Sequence, residues 1–592
     1  MRRSNEAING KGNQKKKIGM KMRKSGRKTI IGTVGAVLLL AAALFPLSVK
    51  MDAGRVISTS DDMQRRITLM HVRQALRMER ESGSAVAPMM DIEDAWAIED
   101  ARSEAQQPLV WEMHSGDDEL GFDAASNTFY CSIGSSLESW PELALTLRGE
   151  AGVQAAWIDD YTYDFCADAV QEGYRYELIS YTDEEYAYFG VVFTGLPVVT
   201  LHVEDAAELG ETYIPARVSI AGAGYEAIDT AAFTHLRGGG FDKGIDKPSY
   251  RVEFHRLSDK GKDKKNRLSV LGMDDDSDWL LVSNAGDASC VHNELAFELW
   301  NRWNSGDEAF ARLESRMVEV FVQDEYMGLY QLLQRIDEED ELEENGDPYT
   351  DAAARLIGMR FETGRPVSEM ALPIGGCLEL RYAPPGRGTE ETFARFADYV
   401  TLNLPDGDEN RLDDEAFSAL ALGRVDVREL MSYYLYMNVC SLPYDNVKNN
   451  VFIWARQTAQ GDRYTLSPWD MDSGFAPLFT DGTESVNMWM TLPVRMLELD
   501  VGGSRAALWA VYEEMRASLL TDDAIYQWIQ DKEDEINASG AYLRETERWR
   551  GGAESLSLAD VSAHTLSQMS VIERHMREMW PIAEDDEGAA KN

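Results

Sequence analysis

The chain reads as an α+β protein: a two-lobed domain preceded by a small β domain and a single N-terminal transmembrane helix. Three observations predict this. Short aromatic and β-branched runs separated by turn residues continue as far as a hairpin ending near Ile336, and after about residue 395 apolar residues recur at i, i+3, i+4 spacing. Strands first and helices later are the pattern of an α+β fold. Residues 29–49, "TIIGTVGAVLLLAAALFPLSV", form an uncharged apolar run of the length a bilayer requires. At 592 residues and 44% hydrophobic, the chain is long enough for two or three domains with at least one substantial core.

Taken in order, residues 1–28 hold eleven Lys/Arg and one Glu and read as a basic cytoplasmic tail. That flank before the apolar run predicts an N-terminus inside and the remainder exterior. A cleaved signal peptide is the competing reading; the length of the run and the absence of a clean A-x-A site after it favour an uncleaved anchor. Residues 50–105 read as a stalk: "DDMQRRITLMHVRQALRMERE" has helical spacing of Ile67, Met70, Val72, Leu76 and Met78, and a Gly/Ser/Ala/Pro stretch follows. Residues 106–195 read as a small β-rich domain with strands at "NTFYCSIG", "LALTLRG", "YRYELISYT" and "YAYFGVVFTG". From Leu196 to about residue 585 a larger unit opens with "LPVVTLHVE", "PARVSIAG", "SYRVEFHRL" and "DWLLVSN". It continues through a helix at "ASCVHNELAFELWNRW" and a hairpin at "MVEVFVQDEYMGLYQLLQRI" turning at Asp324 and Glu325.

The formal charge is −44; with +10 in the first 28 residues, the rest carries −54. Nucleic acid is a poor partner for such a chain, because phosphate contacts need clustered Lys/Arg. The five cysteines (Cys131, Cys166, Cys290, Cys377, Cys440) form no CxxC pair, which speaks against structural zinc. Cys131 and Cys166 are the one pair that suggests a disulfide in an exported domain. "HNELAF" is no HExxH motif, "MDDDSD" lacks the glycine and last Glu of an EF-hand, and no GxSxG elbow is present.

Against that acidity, Arg237 to Arg267 hold ten Lys/Arg and five Asp/Glu. Within this island "HLRGGGFDKGIDKPSYRVEF" sets Arg237, then Gly238, Gly239 and Gly240, ahead of Lys247 at the start of a strand. Consecutive glycines let amides approach an anion, and Lys247 is placed to reach phosphate oxygens. A glycine hairpin with a solvated Lys-rich loop explains the same residues, and no Walker A or strict GxGxxG motif is present. Further on, "PYDNVKNNVFIW" puts Asp445 four and five residues before Asn449 and Asn450, and "SPWDMDSGF" ends a short strand with Asp470 and Asp472. An acid, an Asn about five residues later and a second acid beyond a hairpin are what metal-assisted phosphoryl transfer uses. Taken alone, these residues are more often ordinary turn formers at strand ends.

In this order, "RGGGFDKGIDKPSYRVEF", "LGMDDDSDWLLVSNAGDASCVHNELAFEL", "EYMGLYQLLQRID", "YDNVKNNVFIW" and "PWDMDSGF" resemble the motifs of the CotH kinase family, the spore-coat protein H type of atypical protein kinase. The resemblance covers Leu196 to about Trp580. It implies a kinase-like fold that binds ATP with Mg²⁺ or Mn²⁺ and phosphorylates protein Ser or Thr. By it, Lys247 contacts the phosphates, Arg237 holds the glycine loop or an anion, Asp445 is the catalytic-loop acid, and Asn449 or Asn450 with Asp470 or Asp472 bind the metal. Two positions depart from the pattern: Gln334 stands where the hairpin has Glu, and His292 where an Arg precedes the helix Asn. The alternative is a non-catalytic cell-surface adhesion or scaffold protein, and a third reading is a metal-dependent hydrolase. The expected partners are a protein substrate, Lys/Arg-rich by charge, and the membrane.

Overall fold

The computed structural model describes residues 84–85, 87–133, 145–159, 167–237, 247–257, 263–305, 312–335, 347, 349–357, 378–441, 446, 449–475, 486, 488 and 490–582. The basic tail, the apolar run 29–49 and the stalk helix lie outside these residues. Among the described residues no helix is long and apolar enough to cross a membrane.

The first strands are β1 (Ser84–Ala85), β2 (Ala87–Asp91), β3 (Ser103–Glu104), β4 (Val110–Ser115), β5 (Asp118–Glu119) and β6 (Gly121–Asp123). After them come β7 (Thr128–Ser132), β8 (Leu145–Gly149), β9 (Gln154–Asp159), β10 (Arg175–Tyr181) and β11 (Glu185–Thr194), with α1 (Ile92–Ala101) and α2 (Ala167–Gln171) between strands. One sheet runs β1-β8-β4-β5 and a second β2-β9-β10-β11-β7-β6, with β3 on β11. Residues 87–104, expected at the end of a stalk, are therefore part of the β-rich region: β2 pairs with β9, and Ala95 of α1 packs on Ala156 and Ile179. Cys131 is buried as a free thiol, turned by its strand into a core with Leu147, Leu178 and Phe193; Cys166, its expected partner, lies outside the described residues.

The larger unit opens with β12 (Val198–Val203), β13 (Ile214–Ala221), β14 (Ile228–Arg237) and β15 (Ser249–Leu257). Then follow β16 (Asp263–Lys265), β17 (Leu268–Ser269), β18 (Asp275–Asp276), β19 (Asp278–Val282), α3 (His292–Trp303), β20 (Ser315–Val322) and β21 (Glu325–Gln334). The order β14-β13-β12-β20-β21-β19-β15 closes on itself because β15 also pairs with β14. Closure leaves those seven strands without a free edge. Alternation then sorts the side chains. Tyr250, Val252 and Phe254 of β15, Trp279 and Leu281 of β19, and Tyr330 and Leu332 of β21 fill the inside. Leu280, Val282, Leu329 and Leu333 join the core beneath the helices.

That second core collects β22 (Ala352–Ile357), β23 (Leu378–Tyr382), α4 (Thr389–Ala394), α5 (Ala397–Leu402), α6 (Asp414–Arg424) and α7 (Val427–Val439). It extends through the hairpin β24 (Asn449–Thr458) and β25 (Gly461–Pro468) to α8 (Thr491–Leu499), α9 (Ser504–Arg516), α10 (Asp522–Ala538), α11 (Ala541–Arg550) and α12 (Ala559–Met579). Asp413, Asp426 and Thr521 cap α6, α7 and α10 through side-chain oxygens on the first-turn amides. The N-terminal sheets meet the ring through Tyr130, which stacks on Tyr326 with ring centroids 5.2 Å apart and touches Phe321.

Candidate functional site

Lys247 sits two residues before β15 and is 4% exposed. Its ammonium donates to Ser283 O (3.1 Å), Leu329 O (2.6 Å) and Glu545 Oε1 (2.7 Å), and lies 4.8 Å from the centre of the Tyr330 ring. Glu545, from α11, takes the Leu329 N–H on its other oxygen at 2.8 Å. The hairpin segment "GLY" thus has a local reason at every position. Gly328 leaves space for the Glu545 carboxylate, Leu329 turns both backbone groups to the ion pair, and Tyr330 roofs the ammonium while its hydroxyl donates to Pro248 O. A buried lysine and glutamate held together in this way resemble the ion pair that protein kinases use to aim a phosphate-binding lysine.

The carboxylate does not come from the hairpin. Gln334 pairs with Trp279 across the sheet and lies five residues beyond Leu329, about 16 Å along a strand. Its neighbour on the buried face, Gln331, is the hairpin amide that enters the site. Glu545 carried no sequence signal beyond a charged residue on an amphipathic helix. Its role follows from α11 lying across β21.

Loop residues 283–290 run from the lysine toward the aspartates. Ser283 touches Lys247, and a Cβ on Gly286 would lie 3.7 Å from Asp472 Oδ2. Asp287 braces the turn: Oδ1 accepts from Ser289 N and Oγ, and Oδ2 from His292 N, each at 2.8 Å. α11 holds the same loop from above through Tyr542 OH and Arg550, both on Ala288 O. His292, in the place of the family's Arg, is buried with its ring edge toward Phe475.

Asn450 and Asp470 flank the open end of the β24–β25 hairpin, where Val451 faces Pro468 and Trp469 N donates to Asn450 O at 3.0 Å. Asn446, 1% exposed, donates to Trp469 O (2.7 Å) and Asp470 O (3.3 Å) while its own Oδ1 has no partner. Met471 N donates to Asn293 Oδ1 at 2.8 Å. Arg237 ends β14 opposite Ser249, so it shares an end of the ring with Lys247. Asp445, Gly238, Gly239 and Gly240 lie outside the described residues, as does the side chain of Asn449. Of the candidates, Lys247, Arg237, Asn450, Asp470 and Asp472 therefore have a described side chain. Asn446, Asn293 and Glu545 are additions.

Backbone strain marks the same loops. Of ten non-glycine residues with left-handed φ among the described residues, six lie here: Asn284, Cys290, Ser441, Asn450, Asp470 and Phe475. Such residues cost on the order of 1 kcal/mol or more each and concentrate at functional sites. Burial pushes the Cys290 thiol up to about 12, and its Sγ lies 3.8 Å from Glu545, so it stays protonated and inert as a nucleophile. No group of three or more His, Cys, Asp or Glu able to hold a metal occurs among the described residues. Magnesium does not need one, since it is bound by one or two carboxylates with waters and neutral oxygens. Asp470, Asp472 and the unpartnered Asn446 Oδ1 are donors of the kinds that set uses.

No curated protein matches the chain. The CotH kinase protein family model matches residues 235–578, from the last residues of β14 to the end of α12 and more than half of the chain. By that match, which takes in Lys247, Glu545 and both aspartates, the chain belongs to the CotH kinase family.

Proposed function

We propose that this chain is a membrane-anchored protein kinase that transfers the γ-phosphate of ATP to Ser or Thr of a protein, with Mg²⁺ or Mn²⁺. The strand ring and the helical region beneath it serve as the two lobes. The residues 29–49 span the bilayer with the large domain exterior, and the acceptor is Lys/Arg-rich. The observation that carries the reading is the buried Lys247–Glu545 pair beside a loop that reaches Asp472. Lys247 offers its charge to the phosphates, and Glu545 keeps the ammonium aimed. Arg237 and Gly238–Gly240 line the same phosphates; Asp470, Asp472 and Asn449 or Asn450 would hold the metal; Asp445 takes the acceptor hydroxyl's proton. The metal, when bound, neutralises charge on the phosphates during transfer.

A second reading, a non-catalytic adhesion or scaffold protein, is favoured by one feature. All three Lys247 protons are already donated inside the protein, so a phosphate must displace a carbonyl to reach them. The test is labelled ATP with Mg²⁺ or Mn²⁺ and the full chain in detergent, beside Glu545→Gln and an Asp470→Ala, Asp472→Ala double variant. The kinase reading expects label transfer that falls about 100-fold or more in each variant. Absence of both nucleotide binding and label transfer in the parent would support the second reading instead.

A further inference from the structure

We propose that Asn293 positions the Asp470–Asp472 loop for its metal through a one-way chain of buried amides that starts at Glu294. The proposal rests on the metal-dependent reading above. Glu294, near the start of α3, is a carboxylate and can only accept. Its Oε2 accepts from Gln331 Nε2 at 2.8 Å and from Ser315 Oγ. That contact decides which end of the Gln331 amide carries nitrogen, so Gln331 Oε1 faces Asn293 and accepts from its Nδ2 at 2.7 Å. Asn293 Oδ1 is then left for the Met471 N–H, a group that can only donate, at 2.8 Å. Both ends of the chain dictate the same direction, and rotating either amide would set acceptor against acceptor.

Water does not compete for these bonds. Glu294 is 6% exposed, Asn293 2%, and Gln331 and Met471 not at all. Lys532, 3.8 Å from Glu294 Oε1, balances the buried charge. The chain ends where it matters for the metal, because Met471 lies between the two aspartates and Asp470 is held at a left-handed φ of 54°. Fixing the Met471 N–H fixes the peptide between Asp470 and Met471, and with it the direction in which the Asp470 carboxylate leaves the backbone. Asn446 grips the preceding carbonyls from the other side. Asn293 contacts no carboxylate of the loop and acts as a positioning residue.

Polarity makes this testable. In Asn293→Asp one oxygen still accepts the Met471 N–H, while the other meets Gln331 Oε1. If Gln331 turns over, its oxygen meets the Glu294 carboxylate. Adding Glu294→Gln lets the two side-chain bonds run in reverse while the last keeps its direction: residue 294 donates to Gln331, Gln331 donates to residue 293, and residue 293 still accepts from Met471. The number of carboxylates in the chain is unchanged.

The measurement is Mn²⁺ binding by electron paramagnetic resonance to the full chain, with a non-hydrolysable ATP analogue. Circular dichroism accompanies each variant. The expectation is affinity about 10-fold or more weaker in Asn293→Asp, the usual scale for a group that orients a metal ligand, with most of it regained in Asn293→Asp, Glu294→Gln. Binding by Asn293→Asp as tight as in the parent, or a folded double variant as weak as the single, overturns the proposal. Should Asn293→Asp fail to fold, a double variant that folds and binds like the parent still establishes the direction of the chain. Absence of Mn²⁺ binding in the parent itself is a separate result: it removes the metal-dependent reading on which the proposal stands.

Discussion

Gly328 holds φ at +101°, and a Cβ there would overlap Glu545 Oε2 and come within 3.0 Å of Trp549 Nε1. Two costs follow from Gly328→Ala: an unfavourable backbone for an L-residue, and displacement of a carboxylate that holds a buried ammonium. We expect a loss of at least about 2 kcal/mol in urea unfolding. Gly116→Ala is the comparison, since Gly116 also has positive φ, at +61°, but nothing within 4 Å of its absent Cβ. It should lose only the backbone share, about 1 kcal/mol; equal losses in the two variants would mean that Glu545 adjusts freely. At this scale the sequence revealed one half of the pair. Lys247 stood out because a lysine ahead of a strand, after three glycines, is unusual in so acidic a chain. Glu545 did not, because one more acid in "YLRETERWR" carries no mark until α11 is laid across β21. Gln331 was hidden for a related reason: its strand alternates, and a glutamine on the face turned toward the helices is informative only once its partners are known.

Elements were legible where alternation was strong and silent where residues were small. "SYRVEFHRL" and "DWLLVSN" became β15 and β19, with Tyr250, Val252, Phe254, Trp279 and Leu281 inside the ring. β14, "IDTAAFTHLR", has alanines and threonines in place of large apolar residues, and it is the strand that closes the ring. Without it the sheet reads as open. α11 shows how one short helix secures this closed sheet. Next to Glu545, Arg544 makes a bidentate pair with Glu319 of β20 at 2.8 and 2.7 Å, and Tyr326 donates its hydroxyl to the same carboxylate. Burial alone would raise the pKa of Glu319. Arg544 and these hydrogen bonds outweigh it and hold the carboxyl below the usual range. A depressed folded-state pKa contributes stability that is complete above the unfolded value, near 4.5, and is lost as pH falls through the folded value. Glu319→Gln should therefore cost about 3–5 kcal/mol at pH 7, because Arg544 is left buried and unpaired. Below about pH 4.5 the parent loses its advantage, and the urea midpoints of the two proteins should converge. Midpoints that stay parallel from pH 7 to pH 3 would show that the pair contributes nothing through its charge.

At the scale of the whole molecule, the proposed kinase, a chain carrying −54 outside its first 28 residues, would have to bring together an anionic nucleotide and a protein acceptor. The ten Lys/Arg between Arg237 and Arg267 provide the local reversal of sign that a nucleotide needs. The acceptor has no such exception to use. It approaches a surface of net negative charge, so a Lys/Arg-rich protein is drawn in and an acidic one repelled, over the roughly 10 Å that screening permits at 0.1 M salt. Steering of this kind acts on encounter and leaves the bound geometry alone. Salt should therefore raise KM for a basic acceptor peptide several-fold between 50 and 300 mM NaCl and leave kcat nearly constant. For an acidic peptide of the same length, KM should fall over that range. Initial rates with the two peptides, at saturating ATP and metal, decide the matter. If KM for both moves in the same direction, the surface charge serves solubility alone, and acceptor choice must be sought in contacts close to Asp445.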